Sequence, residues 1–471
     1  MPDCTAQRFL FQGPDRRSIV AEFNGGRITS DGGVVLLGEV DRRRRVVERF
    51  ASCFVDYRAP ERVEHPVEQL LRQRVLALAL GYEDLNDHEE LRSDALLASV
   101  VGKSDPTGTG RTRERDRGRA LAGKSTLNRL EWSAAVESFD SRYHRIEVLP
   151  EQVDKLFVEL FLDAHEEPPK SIVLDLDATD VLLHGAQEGR FFHGYYGGYC
   201  YLPLYVFCGD HLLLARLRRS NIDASAGSVE ELARIVAQIR AAWPEVSILA
   251  RGDSGFAREP LMAWCEEHGV DYVFGLARNK RLERALEPAL ERVHEKCGET
   301  GEPGRIYEEL RYRTRDSWSR ERRVVGKAEV TLRGENPRFV VTSLSCDETP
   351  AEELYEEIYC ARGEMENRIK EQQLDLFASR TSAHWMQINQ LRLWLAAVAY
   401  TLVIELRRLG LEGSEHARAR CQTIRLKLFK IGARVRVTRR KIWVYLASAC
   451  PYQDLFAYAY SRLARAGPLT P

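Results

Sequence analysis

Ser171-Ile-Val-Leu-Asp-Leu-Asp-Ala-Thr-Asp180 is the stretch from which the fold is read. Three apolar residues, Ile172, Val173 and Leu174, follow Pro168-Pro169 and lead into acids at 175, 177 and 180. A short apolar run of this kind reads as a buried strand. Carboxylates inside a sheet are costly unless a basic side chain or a metal ion neutralises them. An Asp at a strand end also serves simply to cap the loop that follows. The stretch alone leaves capping and metal binding open. The question it poses is which later carboxylates join these. On an ideal strand Asp175 and Asp177 share a side.

Downstream, residues 171–280 alternate between strand and helix patterns. A Gly/aromatic segment runs from His184-Gly185 to Tyr201. Leu202 to Cys208 and His211 to Arg216 pair as antiparallel strands across Gly209-Asp210. Val229 to Trp243 has helical spacing, and Val246 to Asp253 is a second apolar strand that ends in an acid. A helix over Glu259–His268 and a strand at Tyr272–Leu276 complete an α/β pattern. Residues 281–345 depart from it, with a charged helix and then β-like runs at Ile306–Thr314, Arg322–Leu332 and Arg338–Ser343. From Ala351 to about Leu409 the chain reads as helical.

Upstream, Val67, Leu70, Leu71, Val75, Leu76 and Leu78 recur near 3.6-residue spacing, so the first 165 residues read as mostly helical. Gly118-Arg-Ala-Leu-Ala-Gly123-Lys124-Ser125 matches a phosphate-loop pattern letter for letter. Such a loop needs a buried strand before it. The residues that precede it, Arg111-Thr-Arg-Glu-Arg-Asp-Arg117, are too polar for one.

The 471 residues are 44% hydrophobic and 30% charged, enough apolar material for a packed core. No run reaches membrane-spanning length, and Met1-Pro-Asp-Cys-Thr5 lacks a signal pattern. Ten cysteines without a Cys-x-x-Cys pair argue against a zinc site or a disulfide framework and fit a reducing cytoplasm. The net charge of −1 conceals a block from Arg418 to Lys441 with ten Lys or Arg and no acid. Such a block, which includes Arg434, Arg436, Arg439 and Arg440, is a phosphate-backbone candidate. The tail that carries it reads as helical.

Asp177 and Asp253 each fall at the end of an apolar strand, where ligand sites of α/β sheets form. A third acid is available on the helix Glu352–Gln373. There Tyr359, Arg362, Glu366, Ile369 and Gln373 share one face, with Lys370 on its shoulder. Two Asp and one Glu without His or Cys suit a hard cation, Mg²⁺ or Mn²⁺. Paired ions would clamp the attacking and leaving oxygens of a phosphoryl transfer. An arginine beside them matches phosphate oxygens.

Tyr359-x₂-Arg362-x₃-Glu366 resembles the tyrosine–arginine–glutamate signature of the insertion-sequence-four-like group of bacterial DDE transposases. That signature ends with a Lys seven residues after the Glu. Here the position holds Gln373, and Lys370 lies one turn early. Within the group the chain is most similar to the insertion-sequence family numbered 1380. The likeness rests on three stretches: Asp56-Tyr-Arg with His65 to Asp87-His88, Leu174 to Asp180 with His184-Gly185, and Arg362 to Glu371. It extends over roughly residues 15–465.

The resemblance implies an α/β fold with a ribonuclease-H-like (retroviral-integrase-like) catalytic core interrupted by a β-rich insertion, with helical N-terminal and C-terminal regions. Its expected parts are a DNA-binding domain over 1–165, core segments over 166–280 and 346–409, the insertion over 281–345, and the basic tail over 410–471. The catalytic, metal-holding acids map to Asp177, Asp253 and Glu366, with Asp175 and Asp180 as alternatives to the first. Tyr359, Arg362 and Lys370 map to DNA contacts. Trp318 reads first as a packing residue and second as a ring on which a flipped base stacks. The implied protein is a cytoplasmic bacterial transposase, associated with the nucleoid when DNA-bound. It would bind double-stranded DNA at terminal inverted repeats, cleave there and join the 3′-hydroxyl ends to target DNA, as a dimer when bound. A catalytically silent DNA-binding derivative and a structure-selective nuclease are the alternatives.

Overall fold

The computed structural model describes residues 8–12, 17–134, 145–300 and 302–465. The opening Met1–Thr5 and the last six residues of the tail lie outside them. The chain divides into two units. One comprises Met1–Val148, Asp375–Phe377 and Val398–Pro471; the other comprises Leu149–Leu374 and Ala378–Ala397.

The second unit is built on a nine-stranded sheet. Its strands are β1 (Ser171–Ala178), β2 (Leu204–Cys208), β3 (His211–Arg216), β4 (Ser247–Gly252), β5 (Asp271–Leu276), β6 (Gly304–Tyr312), β7 (Arg322–Thr331), β8 (Gly334–Glu335) and β9 (Arg338–Thr342). The order is β3-β2-β1-β4-β5-β9-β7-β6, with β8 paired to β7. The opening stretch is therefore the interior strand β1. β2 and β3 run antiparallel beside it, across the two-residue connection at Gly209-Asp210. β4 is parallel to both β1 and β5. Parallel neighbours need crossovers of helical length, and these are supplied by Ser228–Ala242 and Glu259–Glu267.

Alternation along β1 sorts its side chains. Ile172, Leu174 and Leu176 enter a core with Leu232, Ile235 and Ile239 of the first crossover helix and Leu261 and Met262 of the second. Asp175 and Asp177, offset by one, belong to the opposite face. There Val273, Val325 and Val340 pack against Leu354 and Tyr355. The β-rich residues 304–342 do not make a sheet of their own. β9 pairs with β5, and β7 and β6 follow outward, so they extend the same sheet. The Gly/aromatic segment forms a separate three-stranded sheet of Val181–Leu182, Phe191–His193 and Gly198–Tyr201.

The first unit contains the helices Val34–Arg44, Val67–Leu80, Ala95–Val101 and Lys124–Glu131, and Val67–Leu80 covers the residues with 3.6-residue spacing. C-terminal residues close over them. Arg425 donates to the carbonyls of Ala79 (2.8 Å) and Leu78 (3.3 Å) at the end of Val67–Leu80, where helix carbonyls run short of intrahelical donors; Leu78 also accepts from the Gly81 amide. Arg44 and Glu405 form a buried ion pair at 2.8 Å. Gly33 allows the closest approach, because a Cβ there would stand 1.6 Å from the Leu428 carbonyl oxygen.

The basic tail is helical only in part: Cys421–Ile424 and Gln453–Arg465 are α-helices, but the residues between them include two strands. Ala433–Val437 and Ile442–Leu446 are antiparallel strands, and the first also pairs with Arg27–Thr29. The reason is local: Arg434-Val-Arg-Val437 alternates with period two, burying Val435 and exposing Arg434 and Arg436. The phosphate-loop look-alike is preceded by the short 3₁₀ turn Glu114–Asp116, not by a strand. The Lys124 amide is taken by Glu89 (2.9 Å) and its ammonium by Asn86 (3.2 Å).

Candidate active site

β1 and β4 set the site. In their parallel register Arg251 lies opposite Asp175 and Gly252 opposite Leu176. One step further come Asp177, the last but one residue of β1, and Asp253, the first residue past β4. Arg251 forks onto Asp175, with Nε at 2.5 Å from Oδ1 and Nη2 at 2.7 Å from Oδ2, and its third nitrogen donates to the Ile358 carbonyl. Asp175 is thereby a buried, fully partnered carboxylate. Burial raises its pKa, and the Arg251 hydrogen bonds and charge oppose the rise. Asp175 is thus tied into the sheet, whereas Asp177, two residues on, lies near the end of the strand with its side chain 14% exposed.

The third side of the site is a helical run from Ala351 to Asp375 that is not one regular α-helix. Leu354–Tyr359 is π-helical, Cys360–Arg362 is 3₁₀ and Gly363–Lys370 is α-helical. The widened turn followed by a tightened one resets the phase of the side chains just before Arg362; irregularities of this kind concentrate at functional sites. Arg362 donates to Asp177 Oδ1 at 3.2 Å and to Glu366 Oε1 at 2.8 Å, so one guanidinium ties β1 to the helix. Tyr359 reaches under the end of β5. A Cβ at Gly275 would lie 2.5 Å from the Tyr359 hydroxyl, so glycine is required for that approach. Asp253 accepts from the Gly255 amide at 2.9 Å.

The electrostatics follow from burial. Asp177 is pushed up to about 7, first by desolvation and then by the charges of Asp253 and Glu366, against the lowering effect of Arg362. Burial also raises Tyr359, with Arg362 opposing and Asp253 adding to the rise. Arg362 is raised despite its burial by Asp177, Tyr359, Glu366 and Asp253. Asp177 thus feels the charges of both Asp253 and Glu366. Among the described residues, however, no three His, Cys, Asp or Glu side chains are gathered so as to hold a metal ion. The donor set is all oxygen and suits a hard cation. The spacing, with Arg362 between two of the acids, does not make a closed cage.

The other sequence candidates fall as follows. Gln373 donates to the Asp180 carbonyl at 3.3 Å, bracing the loop after β1. Lys370 is exposed on the same helix. Trp318 does not offer a free ring. It is 4% exposed, edge-on to Tyr312 and beneath the Arg322 guanidinium, so packing corrects the base-stacking reading. Arg434, Arg436, Arg439 and Arg440 lie on the exposed hairpin of the first unit.

Two neighbours escape sequence reading. Arg251 carried a signal, since a cation inside an apolar strand requires an acid on an adjacent strand. Tyr196, which donates to the Ala178 carbonyl at 3.3 Å, is raised to about 12 by burial and by Asp180, Asp177 and Asp253. Its only signal was the aromatic richness of its segment.

No helix among the described residues is long and apolar enough to cross a membrane. Comparison with curated proteins finds no match. The sequence model of the family described as Transposase DDE domain group 1 matches residues 11–468, which contain every strand and helix of the site. The chain therefore belongs to the transposase DDE domain group 1 family and is a transposase, an enzyme of a class that acts on DNA.

Proposed function

We propose that the chain is a cut-and-paste transposase of the insertion-sequence-four-like group. It would bind the terminal inverted repeats of its element, hydrolyse the phosphodiester at each end and join the freed 3′-hydroxyl to target DNA. The observation that carries this reading is the placement of Asp177 and Asp253 near the ends of adjacent parallel strands, with Glu366 linked to Asp177 through Arg362. The mixed sheet, three antiparallel strands beside two parallel ones, supports a ribonuclease-H-like core.

In this reading Asp177, Asp253 and Glu366 are the residues that would hold Mg²⁺ or Mn²⁺. A bound divalent ion would supply charge neutralisation at the phosphate and a more acidic attacking water or hydroxyl. The protein's own contribution is positional. Arg362 has two donors aimed into the site and would pass from the carboxylates to phosphate oxygens. Tyr359 stands beside it, and Lys370 lies at the exposed shoulder where the DNA backbone would run. Asp175 and Arg251 hold β1 and β4 in register beneath them. The N-terminal helices and the basic hairpin would grip the double-stranded ends, and joining two ends calls for a dimer on DNA. The setting would be the bacterial cytoplasm, at the nucleoid.

The test is cleavage and joining of end-containing duplex DNA with Mg²⁺. Asp177→Ala, Asp253→Ala and Glu366→Ala should each abolish both steps while end binding persists. Cleavage retained by Glu366→Ala would remove that residue from the set. A second reading, a catalytically silent DNA-binding derivative, is favoured by the ungathered acids around Arg362. It predicts end binding by the intact chain with neither nicking nor joining. Nicked products without joined ones would instead indicate a nuclease.

A further inference from the structure

The hairpin Ala433–Val437/Ile442–Leu446 carries more than positive charge. Its register sets Tyr445 opposite Arg434 and Trp443 opposite Arg436, so all four side chains share one face. The opposite face holds Ala433 and Val435, which are buried. Trp443 and Tyr445 are 47% and 41% exposed, unusual for large rings on a strand with a packed side. Their planes are 12° from parallel with centroids 6.3 Å apart. The Arg434 guanidinium lies 5.0 Å from the Tyr445 centroid and the Lys441 ammonium 5.6 Å from that of Trp443. The Thr438–Lys441 turn, closed by hydrogen bonds between its end residues, presents Arg439 and Arg440 at the tip.

Cations alone would serve any phosphate backbone. Two aligned, exposed rings bracketed by those cations serve a narrower ligand. Paired bases in a duplex show only their edges in the grooves, whereas the flat faces of bases become available when strands are unpaired or unstacked. Aromatic platforms flanked by arginines are the general solution for such faces. We infer that this hairpin face binds unpaired nucleotides of DNA, with bases stacking on Trp443 and Tyr445 and phosphates neutralised by Arg434, Arg436 and Lys441. The inference rests on reading the chain as an enzyme acting on DNA. It adds to that reading the state of the DNA that the hairpin grips: locally opened strands at a processed end.

The experiment measures binding of the full chain, without divalent metal, to a 15-nucleotide oligo-dT and to a 15-base-pair duplex. Trp443→Ala and Tyr445→Ala should each weaken the single-strand complex about 5- to 150-fold. Duplex affinity and the salt dependence should stay within about twofold. Trp443→Phe keeps a ring and should retain most of the single-strand affinity, which guards against misfolding as the cause. Arg436→Gln should weaken both complexes and flatten the salt dependence. Unchanged single-strand affinity in both alanine variants, or equal losses on both DNAs, overturns the inference. Neither result bears on cleavage by the acids of β1, β4 and the helix, so the transposase reading stands or falls on its own assay.

Discussion

Replacing Arg251 by Met would leave Asp175 buried without its two-pronged partner. Breaking a buried pair in this way costs about 3–5 kcal/mol, which should appear as a lower urea midpoint. The half-exposed Arg258–Asp223 pair (44% and 48% exposed) is the control, and Arg258→Met should cost under about 1 kcal/mol. Two residues along β1, Asp177 behaves differently because its pKa is displaced from 3.8 to about 7. The folded value exceeds the unfolded one, so the protonated carboxyl favours the fold. That contribution is complete below about pH 4 and is lost as pH rises through 7. Asp177→Asn cannot ionise. Its melting temperature should exceed that of the wild type at pH 8 and match it at pH 4. A lower value at pH 8 would mean that Arg362 rewards the charge more than burial penalises it.

Strand β5 and the π-helical turn meet where Gly275 faces the Tyr359 hydroxyl. Gly275→Ala should therefore displace Tyr359, and its loss of DNA cleavage should equal that of Tyr359→Ala. The double variant should be no worse than either, the signature of two changes acting on one contact; additive losses would separate them. The elements that were legible in the sequence share a cause. β1, β4 and β5 are short apolar runs whose period and ends are local properties, and Asp177 and Asp253 could be placed at strand ends from those runs alone. The π and 3₁₀ turns were not legible, because Tyr359, Arg362 and Glu366 keep helical spacing on paper whichever turn they occupy. The Asp175–Arg251 pair depends on the register of strands 76 positions apart, which no local pattern encodes. The hairpin at 433–446 was legible but masked: its run of cations drew the reading, while the two-residue alternation of Arg and Val beneath was the stronger signal.

At the scale of the whole molecule, charge is distributed so that a near-neutral chain still offers a cationic surface. Of the basic block, Arg425 and Lys430 are spent on the fold, the latter in an ion pair with Asp31 at 2.7 Å. Neutralising Arg434, Arg436, Arg439 and Arg440 together should therefore weaken duplex binding and reduce the magnitude of the salt slope by up to about 3.6, read by fluorescence anisotropy between 50 and 200 mM salt. An unchanged slope would assign the hairpin to protein contacts. The composition of the first unit from Met1–Val148, Asp375–Phe377 and Val398–Pro471 also governs how the protein is made. Roughly 250 residues separate Val148 from Val398, about 12–50 s of ribosomal elongation. Throughout that interval the nascent N-terminal helices await the segment that supplies Arg425 and Glu405, while the sheet-bearing unit is completed first. The usual vectorial sequence of folding is inverted, and the early helices are a natural client for chaperones that shelter apolar surface on the ribosome.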